Sequence, residues 1–186
     1  MTTYTSIANV IKERRSVRTF TNKEVEKELL IQLLNDATWA PNHQHREPWQ
    51  CKLFIGEGQK TLVDAVLSSF SEEDRKKRGQ TLSDRFMNAG AQIVVYMDED
   101  PRQVQRDEDF AAVCAFIQNF QLLAWEQKLG TVWKSGGLIY NPVFMKNIGL
   151  TKGQRIAGIL HVGYFDKTPE GKERTPITEK LEIIEG

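Results

Sequence analysis

Three arginines close to the N-terminus form the first group of side chains that could do chemistry. Arg14, Arg15 and Arg18 surround Ser16 in the segment 14–18. In an extended chain alternate side chains share a face, so Arg14, Ser16 and Arg18 would project together. Two guanidinium groups and a hydroxyl can hold a phosphate or another ligand with several acceptor atoms. The same spacing also suits cations at the C-terminus of a helix, where the helix dipole favours positive charge.

The loop 39–48 is the second group, and prolines restrict its backbone near both ends. Asn42, His43 and Gln44 offer side chains that can recognise the edge of a heterocycle. His43 and His45 stand two residues apart, but no third metal ligand is close in sequence. A zinc site is therefore not expected here.

Two further groups lie in the second half of the chain. Trp133, Lys134 and Ser135 stand in a glycine-rich stretch, and glycines let a backbone approach a ligand closely. The plain alternative is a turn with a half-buried tryptophan. Lys172 and Arg174 lie near the C-terminus and, taken alone, indicate a solvated basic turn.

The remaining histidine and both cysteines are expected to be structural. His161 has apolar neighbours and is predicted to be a hydrogen-bonded core residue. Cys51 and Cys114 belong to no Cys-x-x-Cys pair, and we expect buried, free thiols that do no chemistry. The chain also has no Gly-x-Ser-x-Gly, His-Glu-x-x-His or phosphate-loop motif.

Composition excludes several classes of protein. The 186 residues predict one domain, spanning 1–186. Lys+Arg and Asp+Glu both number 25, so the zero net charge argues against a general nucleic-acid binder. The basic run 75–78 follows three acidic residues, which predicts a solvated face. No apolar run approaches the roughly 20 residues that span a bilayer, and no secretory signal is visible, so we expect a cytoplasmic protein without a membrane segment.

Helices and strands must position these groups. Hydrophobic periodicity predicts helices at 6–14, from Leu62 to Phe70, in part of 71–90, at 110–125 and after Asn141-Pro142. Thr21 and Glu24 have the form of a capping box that opens a second helix, with the stripe Leu29, Leu30, Leu33, Leu34 and Ala37. Strands are predicted at 49–55, 93–97, 155–164 and 181–184. The irregular interleaving, without a Gly-x-Gly-x-x-Gly turn, predicts an α+β fold.

Taken in order, the four groups resemble the nitroreductase family of FMN enzymes. Arg-Arg-Ser-x-Arg at 14–18 is similar to the family's first flavin motif, and Ala-Pro-Asn-His at 40–43 with Pro-Trp at 48–49 to its second. Trp-Lys-Ser-Gly at 133–136 and Lys-x-Arg-x-Pro at 172–176 resemble the third and fourth. Each motif is modestly specific, but four in the right order support one another.

The resemblance implies a central, mostly antiparallel sheet flanked by helices, in an intertwined homodimer with FMN at the interface. It implies that Arg14, Ser16 and Arg18 hold the phosphate, ribityl and pyrimidine parts. The resemblance implies a further contact from the backbone of Arg15, and phosphate contacts from Lys172 and Arg174. It implies that Trp133, Lys134 and Ser135 lie along the isoalloxazine edge. The second subunit would contribute Trp39, Asn42 and His43. The apolar helix 110–125 and the strand 181–184 would lie in the dimer interface.

The activity implied by the resemblance is FMN-dependent reduction of small electrophilic acceptors, such as nitroaromatics or quinones, by NAD(P)H. Hydride would pass through flavin N5 in a ping-pong scheme, and no side chain need act as a nucleophile. Arg18 is the first candidate to stabilise the reduced flavin electrostatically. Two alternatives stay open: a protein that binds FMN or another phosphate ligand without turnover, and a flavin enzyme of the same fold with another reaction, such as dehalogenation.

Overall fold

A four-stranded antiparallel sheet lies at the centre of the fold. The computed structural model describes residues 6–21 and 23–186. The strands are β1 (Gln50–Ile55), β2 (Ala91–Asp98), β3 (Leu129–Lys134) and β4 (Gln154–Tyr164). Their order in the sheet is β1-β2-β4-β3, so β4, the last strand in sequence, lies between β2 and β3. The three strands predicted at 49–55, 93–97 and 155–164 are thereby confirmed, and β3 is an additional strand.

Six helices in the described residues surround this sheet. They are α1 (Ile7–Glu13), α2 (Lys27–Ala37), α3 (Gly58–Ser68), α4 (Glu72–Met87), α5 (Gln103–Glu126) and α6 (Pro142–Asn147). Asn141 caps α6, because its Oδ1 accepts hydrogen bonds from the backbone of Val143 and Phe144. The predicted Asn-Pro helix start is therefore confirmed.

Both faces of the sheet are buried, because its strands alternate between two cores. Ile93, Val95 and Met97 of β2 pack with α2 and α5, whereas Val94 packs on the opposite side with α3 and α6. On α5, buried residues such as Phe116 face the first core. Other apolar residues of α5 stay half-buried in the single chain, among them Ala115, Leu122, Leu123 and Trp125.

The segment 14–18 runs along the free edge of β3. Ser16 forms a parallel bridge with Thr131, and the Val17 backbone N–H donates to the Thr131 carbonyl at 2.9 Å. The Val17 side chain is buried against Gly130, where an added Cβ would lie 2.7 Å from Val17 Cγ2. The chain is therefore extended here, which favours the interpretation of 14–18 as a row of projecting side chains.

The charged helix α4 agrees with the predicted solvated face. Ser71 caps it, and ion pairs join Glu72 to Lys76 and Glu73 to Lys77 one turn apart. Its C-terminal end differs, because Phe86 is buried against the sheet. This end brings part of the segment 71–90 to the interior.

Three details of the prediction are wrong. The second helix begins at Lys27 after Glu26, not at the Thr21–Glu24 box, because the backbone N–H of Thr21 donates to the Tyr164 carbonyl. Residues 23–26 approach the helix in a non-helical conformation, and Asn22 lies outside the described residues.

The other two corrections concern the C-terminus and a cysteine. Residues 181–184 form no strand, and their apolar side chains are exposed in the single chain because no neighbouring strand lies beside them. Cys51 is exposed rather than buried, since β1 is an edge strand, while Cys114 is half-buried; both thiols are free.

Candidate functional site

A half-buried cluster of arginines forms where α1 ends. Arg14 leaves the helix in an extended conformation, while its backbone N–H still donates to the Val10 carbonyl. Its Nη1 is buried and has no hydrogen-bond partner among the described residues. Burial, and then the charges of Arg15 and Arg174, lower the pKa of the Arg14 guanidinium. A buried donor without an acceptor, among like charges, favours an anionic ligand at this place.

Arg15 connects this cluster to the C-terminal segment. Its Nη1 donates to the backbone carbonyls of Lys12, at 2.6 Å, and Arg14, at 2.9 Å. The guanidinium packs on Gly171, where an added Cβ would overlap it. The predicted phosphate residue Arg174, three positions after Gly171, lies close enough for its charge to act on Arg14, and Lys172 between them in sequence is exposed.

A second cationic cluster lies at the other end of the segment 14–18. Lys134 ends β3 and is half-buried. Burial, and then the charges of Arg18 and Arg85, lower the pKa of the Lys134 amine. In the part of the chain that the structure describes, none of these three cations makes an ion pair with a carboxylate. The arrangement therefore suits a second negatively charged or electron-rich ligand group.

Arg85 is a residue that sequence reasoning missed. It lies in the last turn of α4, directly before the buried Phe86. The charged composition of α4 predicted a solvated helix and gave no sign that its final turn reaches the sheet. Leu82 and Phe86, apolar residues one turn apart near the end of α4, were the available signal.

His161 lies in the core close to this cluster. Its side chain is 2% exposed, and its ring packs on Phe86 with centroids 4.7 Å apart. Burial, and then the charges of Lys134 and Arg85, lower the pKa of His161 to about 4, so the ring is neutral at pH 7. The predicted core position is confirmed, but the expected hydrogen bonding is incomplete, because Nε2 has no partner among the described residues.

Trp133 and Lys134 project to opposite sides of β3. The Trp133 Nε1 donates to the Ala157 carbonyl at 3.1 Å, and the indole covers Gly158, where a Cβ would overlap the ring. Its packing places it with the core of α2 and α5. Ser135 follows in an exposed position. Of the predicted residues 133–135, Lys134 is therefore the one that lies in the cationic cluster with Arg18 and Arg85.

The loop 39–48 is anchored on α5. Trp39 is 89% exposed and His43 is also exposed, so both are presented to solvent in the single chain. The Asn42 side chain is used within the loop: Oδ1 accepts from the Glu47 backbone N–H at 2.9 Å. Arg46 donates two hydrogen bonds to the carboxylate of Asp109 in α5. Arg46 is the second residue that sequence reasoning missed, since its partner Asp109 lies sixty-three positions away in the chain.

Comparison with known proteins places this arrangement in a family. The model of the "Nitroreductase family" matches residues 11–164. The chain belongs to the nitroreductase family. The predicted family is thus confirmed, and so is the predicted α+β, nitroreductase-like fold with an antiparallel sheet.

Individual relatives agree along nearly the whole chain. A nitroreductase-like family protein from Bacillus cereus, known from a crystal structure, has 80% sequence identity to this chain. The match covers 100% of both chains, with a TM-score of 0.98. The Bacillus subtilis (strain 168) protein YfhC, named provisionally as an NAD(P)H nitroreductase, is 35% identical and covers 94% of this chain and 92% of its own. The FMN- and NADPH-dependent nitroreductase NfnB of Sphigopyxis sp. strain HMH is 18% identical, with a TM-score of 0.78 over 96% of this chain and 98% of its own, which shows a shared fold.

Residues 6–21 and 23–186 contain neither a membrane-spanning helix nor a cluster of metal-binding side chains. None of the helices there combines the length and apolarity needed to cross a bilayer. Within the same residues, His, Cys, Asp and Glu side chains form no group of three or more that could hold a metal ion.

Proposed function

We propose that this protein is an FMN-dependent NAD(P)H oxidoreductase that reduces small electrophilic acceptors, such as nitroaromatics or quinones. The observation that carries the proposal is the buried Arg14 Nη1, which lacks an acceptor while Arg15 and Arg174 crowd it with positive charge. A phosphate supplies the missing acceptors and charge. The family membership and the names of YfhC and NfnB support FMN and NAD(P)H as the ligands.

The two cationic clusters would bind different parts of FMN. Arg14, Lys172 and Arg174 would bind the phosphate, with the backbone of Arg15 beside them, and Ser16 would contact the ribityl chain. Arg18, Lys134, Ser135 and Trp133 would lie at the isoalloxazine, and Arg85 joins them through its place beside Lys134. The extended segment 14–18 connects the two clusters along β3, as a long ligand with a charged end requires.

The second subunit of a homodimer would complete the site. Its loop 39–48 would contact the flavin through Trp39, Asn42 and His43. Exposed apolar side chains support an assembly: Ile183 and Ile184 in the C-terminal segment, and the half-buried outer face of α5. Large apolar groups that stay exposed in one chain commonly mark a protein–protein contact.

When bound by these residues, FMN would supply the chemistry of hydride transfer between NAD(P)H and the acceptor. The chain contributes placement and charge. Arg18, Arg85 and Lys134 are held without carboxylate partners in the described residues, so their positive charge is available where negative charge develops. Because donor and acceptor would use one site in turn, we expect ping-pong kinetics.

The visible spectrum of the purified protein tests this proposal first. A yellow protein with flavin bands that bleach under anaerobic titration with NADPH or NADH is the expected result, followed by steady-state reduction of a quinone or nitroaromatic. Bleaching without turnover of any acceptor would favour a binding protein. A colourless protein that takes up no added FMN would contradict the proposal.

A further inference from the structure

The loop 39–48 contains an unusual run of backbone conformations. Gln44, His45 and Glu47 have φ values of 53°, 51° and 46°, and none is a glycine. The left-handed region is unfavourable for residues with a Cβ, because that atom approaches the following carbonyl oxygen. Three such residues within four positions persist only where the surroundings determine the conformation.

Arg46 lies in the middle of this run and has the strongest contacts that could determine it. Its Nε donates to Asp109 Oδ1 at 3.0 Å and its Nη2 to Oδ2 at 2.9 Å. Such a two-point contact fixes the orientation as well as the position of the guanidinium. A longer contact of 3.5 Å joins Arg46 to Asp100.

Asp109 is itself held in place. It is 3% exposed, stands on the long helix α5, and accepts a further hydrogen bond from Gln105 at 3.1 Å. A rigid helix with a buried, oriented carboxylate is a fixed anchor for a surface loop. The Asn42 side chain closes the loop internally, and among the side-chain hydrogen bonds of the described loop residues those of Arg46 tie it to another element.

We infer that Arg46 and Asp109 are a positioning pair that holds the loop 39–48 in the conformation in which His43 contacts FMN. This inference rests on the proposed function, in which that loop reaches the flavin of the second subunit. His43 begins the short helical turn His43–His45, and the Arg46 backbone N–H donates to the His43 carbonyl at 3.2 Å. Arg46 thus acts on His43 through the backbone of one turn, and it does not itself touch the ligand.

Substitutions at the pair test the inference through FMN binding. In Arg46→Met the stem stays and the charge is lost, so the loop is free to leave its strained conformation. If the binding-competent population falls to about a tenth, the apparent Kd for FMN rises about tenfold. Flavin fluorescence on dilution of the purified protein measures this Kd, and thermal unfolding without added FMN reports whether the variant folds. Asp109→Asn keeps the side-chain volume and serves as the second variant if Arg46→Met does not fold.

Arg102→Met is the matched control. Arg102 makes the same kind of two-point contact, with Asp100, at 2.9 and 2.8 Å, and it stands at the start of α5 outside the loop. Its removal should leave the Kd for FMN within about twofold of the wild type, a difference of roughly 0.4 kcal/mol. An equal loss in Arg102→Met and Arg46→Met would show that overall charge or the shared partner Asp100, and not the Arg46–Asp109 pair, determines the affinity, and it would overturn the inference.

The double variant Arg46→Met/His43→Ala decides whether Arg46 acts through His43. We expect it to bind FMN no more weakly than His43→Ala alone, because the pair acts through the His43 contact and that contact is then absent. Additive losses, or a wild-type Kd in Arg46→Met, would overturn the inference while FMN binding by the wild type leaves the proposed function intact. A wild-type protein that binds no FMN would overturn both.

Discussion

At the scale of single residues, Arg14 is the side chain on which ligand binding should depend most. Arg14→Met is expected to weaken FMN binding by roughly 10- to 100-fold, because a charge-assisted hydrogen bond contributes about 1.5–3 kcal/mol. Fluorescence titration of FMN measures the loss. Lys12→Met removes an exposed cation from the same helix end and should change the affinity little. Equal losses in the two variants would mean that general charge, and not the buried guanidinium, attracts the ligand.

His161 should make the protein sensitive to acid. Its pKa is lowered from 6.5 to about 4 in the folded protein, so the unfolded chain binds the proton more readily as the pH falls. The stabilisation is present above about pH 6.5 and is lost as the pH falls towards 4. Between pH 7 and pH 5 this loss should amount to about 2 kcal/mol of unfolding free energy.

Urea unfolding of the wild type and of His161→Gln at both pH values isolates this contribution. The variant has no titrating group at this position, so its stability should fall by about 2 kcal/mol less than that of the wild type between the two pH values. Parallel losses in the two proteins would show that His161 is not held neutral by its surroundings.

The sequence predicted the candidate site residues that belong to motifs. It did not predict the residues whose roles depend on contacts between distant parts of the chain. Arg14 and Lys134 could be proposed because each stands among other polar residues in a recognisable pattern. Arg85 could not be proposed, because it stands at the end of a helix whose many charged residues predict a solvent-exposed surface. Arg46 could not be proposed, because its partner Asp109 lies sixty-three positions away in the chain. Contacts of that separation depend on tertiary structure, which no local pattern encodes.

At the scale of elements, the turn between α5 and β3 has a backbone conformation that a substitution should stabilise. Lys128 follows the end of α5 with a φ of 61°, the position that glycine most often fills at helix C-termini. Lys128→Gly should therefore raise the free energy of unfolding by about 0.5–1 kcal/mol, measured by thermal or urea unfolding. Gln127→Gly, where φ is −83°, should instead lower it, and the same sign for both would refute the explanation.

Periodicity predicted the long elements well and their ends less well. The stripe of α2 was recognised, but the chain before it is non-helical because Thr21 is bonded to Tyr164 across the fold. The strand β3 was missed, since its residues were interpreted by their motif and not by their pairing with β4. Both errors arise where a distant partner, absent from any local window, determines the backbone.

At the scale of the whole molecule, the C-terminal segment should belong to an assembly. Ile177, Leu181, Ile183 and Ile184 are all more than half exposed in the single chain, and 181–184 form no strand within it. Truncation after Pro176 is expected to weaken the proposed homodimer, because the truncated chain would lack these apolar side chains for its partner surface. Light scattering over a dilution series of the full and truncated proteins measures this, and an intact dimer in the truncated protein would remove the role assigned to the segment.

The bridge between Ser16 and Thr131 also protects the edge strand β3 from pairing with other chains. An uncovered edge strand is a template for other chains, and β3 is kept from that role by the segment 14–18. The covering segment is rich in arginine, which discourages a second strand from adding to it. In the proposed function the same segment also binds FMN, so a variant that detaches it from β3 is expected to lose solubility and FMN binding together.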